Sequence, residues 1–137
     1  MIIVDTSALL AMHDPREKSH LELRKIAQSR KQELIISPYV VAEFDYMISK
    51  ANSADFSLRA LNNLLIAPFE LVQLTTVDFI TATEVMAKYQ DLNIGITDAS
   101  LIALAARFET SKIMTLDRRH FSAMKLLSGK PVQMIPN

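Results

Sequence analysis

The sequence predicts a three-layer α/β domain in which helices cover both faces of a central parallel sheet. Short apolar runs rich in Ile, Val and Leu recur along the chain and alternate with longer segments of helical periodicity. Strands that alternate with helices require right-handed crossovers and therefore a parallel sheet. Only two of the 137 residues are glycine, and no linker divides the chain. We therefore expect one domain spanning residues 1–137.

The first apolar run, Met1 to Val4, is predicted to be a central strand. A short helix is expected from Ala8 to Met12, with Thr6 or Ser7 as its N-cap. Pro15 should then open a polar helix that extends to about Lys31. Three apolar residues of that helix are expected to face inward: Leu21, Leu23 and Ile26.

The middle of the chain predicts a second strand at Leu34 to Ile36 and a helix from there to about Lys50. Ser37-Pro38 is a strong helix start, because serine caps free backbone N–H groups and proline fits the first helical position. Asn52 or Ser53 is expected to begin the next helix, which ends before Pro68.

The second half of the chain predicts three more strands and two more helices. Thr75 or Thr76 should cap a helix to about Tyr89, and Thr97 should cap a strongly apolar helix. The three strands are predicted at Phe69 to Leu74, Lys112 to Leu116 and, as a short edge strand, Val132 to Ile135.

Composition excludes several kinds of site. The chain has no cysteine, which rules out disulfides, zinc–thiolate centres and thiol nucleophiles and suits the cytoplasm, where we expect the protein. Asp5 interrupts the first apolar run, so we expect a buried strand there and neither a signal peptide nor a membrane span. The net charge is zero, yet the segment from Arg107 to the end contains six basic residues and only two acidic ones. Such a basic region could guide a polyanion.

Four acidic residues stand at the ends of the predicted strands or at the starts of the helices that follow. Asp5 and Asp117 directly follow the first and fourth strands, Asp98 is in the first turn of the apolar helix, and Glu43 is early in the helix after strand two. Ligands of parallel sheets bind outside the carboxyl ends of the strands, where all four could converge. Singly, each acid could serve as a helix-terminal or turn residue. Together, they would require protons or a cation.

The sequence resembles a PIN-domain nuclease, and specifically a VapC-type toxin ribonuclease, at four motifs. These are VDTSALL at 4–10, VVAEF at 40–44, ITDASLIALA at 96–105 and MTLDRRHF at 114–121. The resemblance implies a strand order of 3-2-1-4-5 and a magnesium-dependent endoribonuclease. It also implies a cognate antitoxin and a homodimer. The antitoxin segment would lie along the apolar faces of two consecutive helices, represented by Phe44, Met47 and Ile48 and by the stripe from Phe56 to Leu65.

The resemblance places the metal-binding and catalytic carboxylates at Asp5, Glu43, Asp98 and Asp117. Oxygen ligands favour Mg²⁺, with Mn²⁺ as a substitute. We expect Asp5 and Asp98 to be direct ligands and Glu43 to hold the metal or orient the attacking water. Asp117 would complete the ligand shell directly, through water or by recruiting a second ion.

Several neighbouring residues are candidates for supporting roles. Thr6 and Ser7 could contact a phosphate or a carboxylate instead of capping a helix, and Thr115 could support a carboxylate or be an ordinary strand residue. Arg118 and Arg119 could grip the RNA backbone. Histidines 13, 20 and 120 have no metal-ligand spacing, and His120 is expected to pack beside Phe121.

Two other function classes remain open from the sequence. A phosphoacceptor receiver domain has similar architecture, but it would carry a pair of acids after strand one, an acceptor aspartate after strand three and a lysine near strand five. None of these is present here. The second alternative is a PIN-like module that binds RNA or protein without cutting RNA.

Overall fold

The computed structural model describes residues 1–137 and contains one sheet of five parallel strands. The strands are β1 Ile2–Val4, β2 Leu34–Ile36, β3 Phe69–Leu71, β4 Lys112–Met114 and β5 Gln133–Ile135. Their order is β3-β2-β1-β4-β5, which confirms the predicted fold class and strand order. β1 lies at the centre, where Val4 is in register with Ile36 of β2 and with Met114 of β4.

Seven α-helices and one short 3-10 helix connect the strands. They are α1 Thr6–His13, α2 His20–Gln28, α3 Pro38–Ala51, α4 Ala54–Asn63, α5 Thr76–Lys88, α6 Ile96–Arg107 and α7 Arg118–Ala123, with the 3-10 helix at Gln90–Leu92. From β1 to β3 the chain adds strands toward one edge of the sheet, and it then crosses back to place β4 and β5 on the other side of β1. Because crossovers are right-handed, α1–α4 and α5–α6 are expected on opposite faces of the sheet. None of the helices combines the length and the apolar character needed to cross a membrane.

Side-chain hydrogen bonds confirm three of the predicted helix starts. Ser37 Oγ accepts from the Tyr39 N–H at 3.1 Å, with proline at the first helical position of α3. Ser53 caps α4 by accepting from a backbone N–H of its first turn. Thr75 and Asp78 form a capping box, in which each side chain accepts from the backbone N–H of the other residue. Local residue chemistry therefore fixes where these helices begin.

The predicted helix start at Pro15 is wrong, because this proline opens a turn. The Asp14 carboxylate accepts hydrogen bonds from both the backbone N–H and the guanidinium of Arg16. These bonds stabilise a turn in place of a first helical turn. The helix begins only at His20, whose ring Nδ1 lies 2.8 Å from the Ala11 carbonyl oxygen.

Two further N-cap predictions are also wrong. Thr6 and Ser7 lie inside α1, whose N-cap position is Asp5, and Thr97 lies inside α6, whose N-cap position is Gly95. Neither N-cap position makes a side-chain cap hydrogen bond. Both helices start earlier than predicted, so side chains expected at a cap are available for other contacts.

α6 is the most buried helix of the fold and packs against β1 and β4. All of its residues from 99 to 105 are buried, which explains why its sequence is apolar on every side. At its C-terminal end, the Arg107 guanidinium donates to the buried Asp78 carboxylate and to the Gln73 carbonyl oxygen. These bonds tie the end of α6 to the start of α5.

Leu21 and Leu23 provide a matched pair of substitutions in α2. Leu23 is 0% exposed and Leu21 is 79% exposed, so the prediction that both face the core is wrong for Leu21. We expect Leu23→Ala to lower the free energy of unfolding by about 2–5 kcal/mol, because it leaves a cavity in a packed core. Leu21→Ala should change it by less than about 0.5 kcal/mol. Urea denaturation measures both values, and equal losses would contradict this packing.

Candidate metal centre

All four predicted acids line one cavity of about 300 Å³ beyond the carboxyl ends of β1 and β4. Asp5 directly follows β1, and Asp117 lies three residues after the end of β4. Asp98 is in the first turn of α6, and Glu43 is in the second turn of α3. Thr6, Ser7 and His120 line the same cavity. The fold therefore brings side chains that are up to 115 positions apart in the sequence, from Asp5 to His120, into one site.

Asp5 is held by two hydroxyl groups that come from opposite ends of the sequence. Its Oδ2 atom accepts from Ser7 Oγ at 2.6 Å and from Thr115 Oγ1 at 2.7 Å. Ser7 Oγ in turn accepts from the Leu116 N–H at 2.9 Å. These bonds fix the orientation of a buried carboxylate and connect the segment after β1 to the segment after β4. Ser7 and Thr115 are thus supports of Asp5.

Thr115 also explains why β4 ends earlier than predicted. Its Oγ1 accepts from the Asp117 N–H at 3.0 Å, which turns the chain away from the sheet. Asp117 is then the N-cap of α7, and its Oδ1 accepts from the His120 N–H at 3.1 Å. This short helix was not predicted, and its cap restrains the Asp117 carboxylate at the cavity.

Two acids of the cavity, Asp5 and Asp98, have raised pKa values because they are buried and lie near other carboxylates. Burial raises the pKa of Asp5 above its ordinary value, although the hydrogen bonds from Ser7 and Thr115 act in the opposite direction. Burial and the negative charges of Asp5 and Asp117 raise the pKa of Asp98 to about 6. The cavity therefore favours proton uptake or cation binding over a full set of free carboxylates.

The prediction that His120 only packs beside Phe121 is wrong. Its ring enters the cavity, and its Nδ1 atom lies 2.8 Å from Asp117 Oδ2 and 3.5 Å from Asp98 Oδ2. The reason is the cap of α7, because residues three apart at a helix start share one side of the helix. The Asp-x-x-His spacing is the signal in the sequence that could have identified this residue.

The residues present fit a divalent metal ion. Donor atoms of Asp98, Asp117 and His120 all lie within 4.8 Å of one another. Two carboxylates and an imidazole are a common donor set for first-row divalent ions. Thr6 Oγ1 is buried without a hydrogen-bond partner at the same cavity, which favours a polar occupant. Asp5 and Glu43 line the cavity outside this close group of three.

The two arginines beyond Asp117 have different surroundings. The Arg118 guanidinium donates to the Pro136 carbonyl oxygen at 2.8 Å, so it anchors the C-terminal segment. Arg119 is exposed and its guanidinium forms no ion pair or hydrogen bond. Of the two, Arg119 is the one that is available for a ligand.

A sequence model of the PIN domain matches residues 2–126 of this chain. The chain belongs to the PIN-domain family. Ribonuclease VapC26 of Mycobacterium tuberculosis is 41% identical to this PIN-domain protein over 135 residues, which cover 98% of this chain and 100% of the relative. The resemblance to VapC-type PIN domains is thus confirmed, and family membership excludes the receiver-type alternative.

Solved structures of other proteins share the fold. VapC20 of Mycobacterium tuberculosis, described as a sarcin-ricin loop cleaving toxin, has a TM-score of 0.77 and 16% identity, covering 87% of this chain and 92% of that one. A toxin–antitoxin complex from Klebsiella pneumoniae has a TM-score of 0.66 and 15% identity, covering 90% of this chain and 92% of that one. At this level of identity, the likeness concerns the fold.

The raised pKa of Asp98 predicts how the metal-free protein responds to pH. The folded state binds the Asp98 proton more tightly than the unfolded state, so this group makes the free energy of unfolding fall as the pH rises from about 4 to about 6. Asp98→Asn should remove that fall and stabilise the metal-free protein at pH 7.5 by about 1–2 kcal/mol, after allowance for solvent screening.

Urea denaturation in the presence of a chelator, at pH 4.5 and pH 7.5, measures both effects. Asp45→Asn is the matched control, because Asp45 is exposed on α3 and away from the cavity. If Asp98→Asn and Asp45→Asn behave alike at both pH values, the charge crowding inferred for the cavity is wrong.

Proposed function

We propose that this protein is a metal-dependent endoribonuclease and the toxin of a toxin–antitoxin pair. The observation that carries the proposal is the single cavity lined by Asp5, Glu43, Asp98 and Asp117 in a PIN-domain chain. The 41% identity to Ribonuclease VapC26 over nearly the whole chain supports an RNA substrate. We propose Mg²⁺ as the cofactor, with Mn²⁺ as a substitute, and a cytoplasmic location.

The chemistry must overcome two obstacles, since the anionic oxygens of a phosphodiester repel a nucleophile and the leaving alkoxide is poor. A bound divalent cation would neutralise the charge of those oxygens and lower the pKa of a water molecule bound to it. Asp5, Asp98 and Asp117 would hold that cation. The hydroxyls of Ser7 and Thr115 orient Asp5 for this role.

Glu43 and Thr6 have surroundings that fit contacts with water and substrate. Glu43 is exposed at the cavity and its carboxylate accepts no hydrogen bond, so it is free to orient the attacking water and receive its proton. Thr6 lines the cavity and its buried Oγ1 has no hydrogen-bond partner, so after a side-chain rotation it could donate to a phosphate oxygen. Both residues thus act on the substrate side of the site.

The proposed antitoxin would cover an apolar face on α3 and α4. Phe44 and Ile48 are buried in the core, so they do not belong to such a face. Large apolar side chains on these helices and just beyond α4 are nevertheless exposed: Tyr46, Met47, Leu58, Leu65 and Ile66. Exposed apolar patches of this kind mark partner surfaces. The homodimer implied by the resemblance is also a proposal, and α5 exposes a second set of apolar residues for it: Val77, Phe79 and Ile80.

RNA cleavage by the purified, antitoxin-free protein is the direct test. We expect cutting of total RNA with Mg²⁺, none with EDTA, and a loss of more than about 100-fold in Asp98→Asn, since removing even the partners of metal ligands costs about 10- to 100-fold. Asp45→Asn should cut like the unaltered protein. Cutting that survives both EDTA and Asp98→Asn would exclude a metal mechanism. If the metal-loaded protein cuts no RNA, the alternative of a silent RNA- or protein-binding module is favoured.

Arg119 should contribute to RNA binding and not to chemistry. It is exposed, unpaired and two residues beyond Asp117, where it can reach a phosphate next to the cut. We expect Arg119→Ala to raise KM by roughly five- to tenfold, equivalent to about 1–1.4 kcal/mol, and to leave kcat unchanged. Steady-state cleavage of a short RNA measures both constants. Arg24→Ala, at an exposed arginine on α2, is the control, and an equal rise in KM there would refute a specific contact.

A further inference from the structure

We propose that His120 is a direct metal ligand and that its imidazole raises the affinity of the centre for Mn²⁺ more than its affinity for Mg²⁺. This inference rests on the proposed metal-dependent function and specifies which of the chain's own atoms hold the ion. It adds a nitrogen ligand to a site whose sequence motifs suggest oxygen ligands only.

The spacing of the donor atoms matches that of ligands around one ion. His120 Nδ1 lies 2.8 Å from Asp117 Oδ2 and 3.5 Å from Asp98 Oδ2. An octahedral ion with ligands at about 2.1 Å separates adjacent ligand atoms by about 3.0 Å. The two observed distances lie on either side of this value. A small movement of the side chains would therefore place all three donor atoms on one cation.

The Nδ1 atom of His120 is directed at carboxylates of the cavity, whereas the other two histidines are hydrogen-bonded to the backbone. Nδ1 of His13 lies 2.8 Å from the Leu9 carbonyl oxygen, and Nδ1 of His20 lies 2.8 Å from the Ala11 carbonyl oxygen. Both rings are thus committed to the backbone of α1. His120 contacts only the carboxylates of Asp117 and Asp98. Coordination through Nδ1 would use the tautomer with its proton on Nε2 and would replace the bond to Asp117 by a shared ion.

A second observation at the same cavity indicates an occupant. Thr6 is 2% exposed, and its Oγ1 atom is buried without a hydrogen-bond partner. Buried hydroxyl groups are nearly always paired. Thr6 lines the cavity that Asp98, Asp117 and His120 share, so a rotation of its side chain would let the hydroxyl bond to a water of a hydrated cation there.

The mixture of donors determines which ion is preferred. Mg²⁺ demands oxygen ligands and releases its waters reluctantly, whereas Mn²⁺ accepts imidazole as well as carboxylate. An imidazole in this position therefore raises the affinity for Mn²⁺ much more than the affinity for Mg²⁺.

Metal binding can be measured without RNA and without activity. Chelator-treated full-length protein is titrated with MnCl₂ and, separately, with MgCl₂ by calorimetry. We expect His120→Ala to weaken Mn²⁺ binding by about 10- to 100-fold and Mg²⁺ binding by less than about threefold. His120→Asn is the matched variant, since its amide can donate a hydrogen bond to Asp117 but offers no imidazole nitrogen. It should lose Mn²⁺ affinity like His120→Ala, and full retention of affinity would reduce His120 to a positioning residue and overturn the proposal.

A spectroscopic signature tests the ligand in the unaltered protein, so the result does not depend on how the variants fold. Electron spin echo envelope modulation of the Mn²⁺-loaded protein should show a directly bound ¹⁴N nucleus, and His120→Ala should lose that signal. Absence of bound nitrogen in the unaltered protein would overturn the proposal. Cleavage of RNA without the nitrogen signal would refute this inference and leave the proposed function intact. The nitrogen signal in a protein that cuts no RNA would support the inference and refute the proposed function.

Discussion

The interaction on which this structure depends is the hydrogen-bonded support of a buried carboxylate between two parallel strands. Asp5 is 4% exposed and accepts hydrogen bonds from Ser7 and Thr115. Burying an unpaired carboxylate would cost several kcal/mol, so these hydroxyls make the position tolerable. The same bonds join the segments after β1 and β4, and the geometry of the cavity therefore depends on the register of the central strands.

Charge crowding follows directly from this arrangement. Asp98 enters the cavity from the first turn of α6, which is fixed by a helix that is buried along most of its length. Burial of the carboxyl group and the repulsion from Asp5 and Asp117 raise the pKa of Asp98. A cation would relieve that repulsion. Metal binding would therefore offset the electrostatic repulsion among the acids that the fold brings together.

Family membership bears on the reaction, whereas the residues of the cavity bear on which metal ion is bound. Membership of the PIN-domain family and the identity to Ribonuclease VapC26 support RNA hydrolysis as the activity. The identity of the metal ion depends instead on the donor atoms at the cavity, where the imidazole of His120 lies beside the carboxylates. Its ring reaches the acids because Asp117 caps α7 and is itself restrained through Thr115. The support of Asp5 by Thr115, the cap of α7 by Asp117 and the position of His120 are therefore linked by hydrogen bonds.

The sequence by itself determined where the strands lie along the chain and the caps at Ser37 and Thr75, because apolar periodicity and helix capping act between residues close in the chain. The four acids were also evident from the sequence, whereas the spatial order of the strands followed from the resemblance to PIN-domain nucleases. Only the tertiary structure decided that Ser7 and Thr115 hold Asp5, since Thr115 and Asp5 are 110 residues apart. It also decided the exposure of Leu21, which depends on where α2 starts and packs. The entry of His120 into the cavity had a local cause in the α7 cap, yet its proximity to Asp98 required the packing of α6 against the central strands.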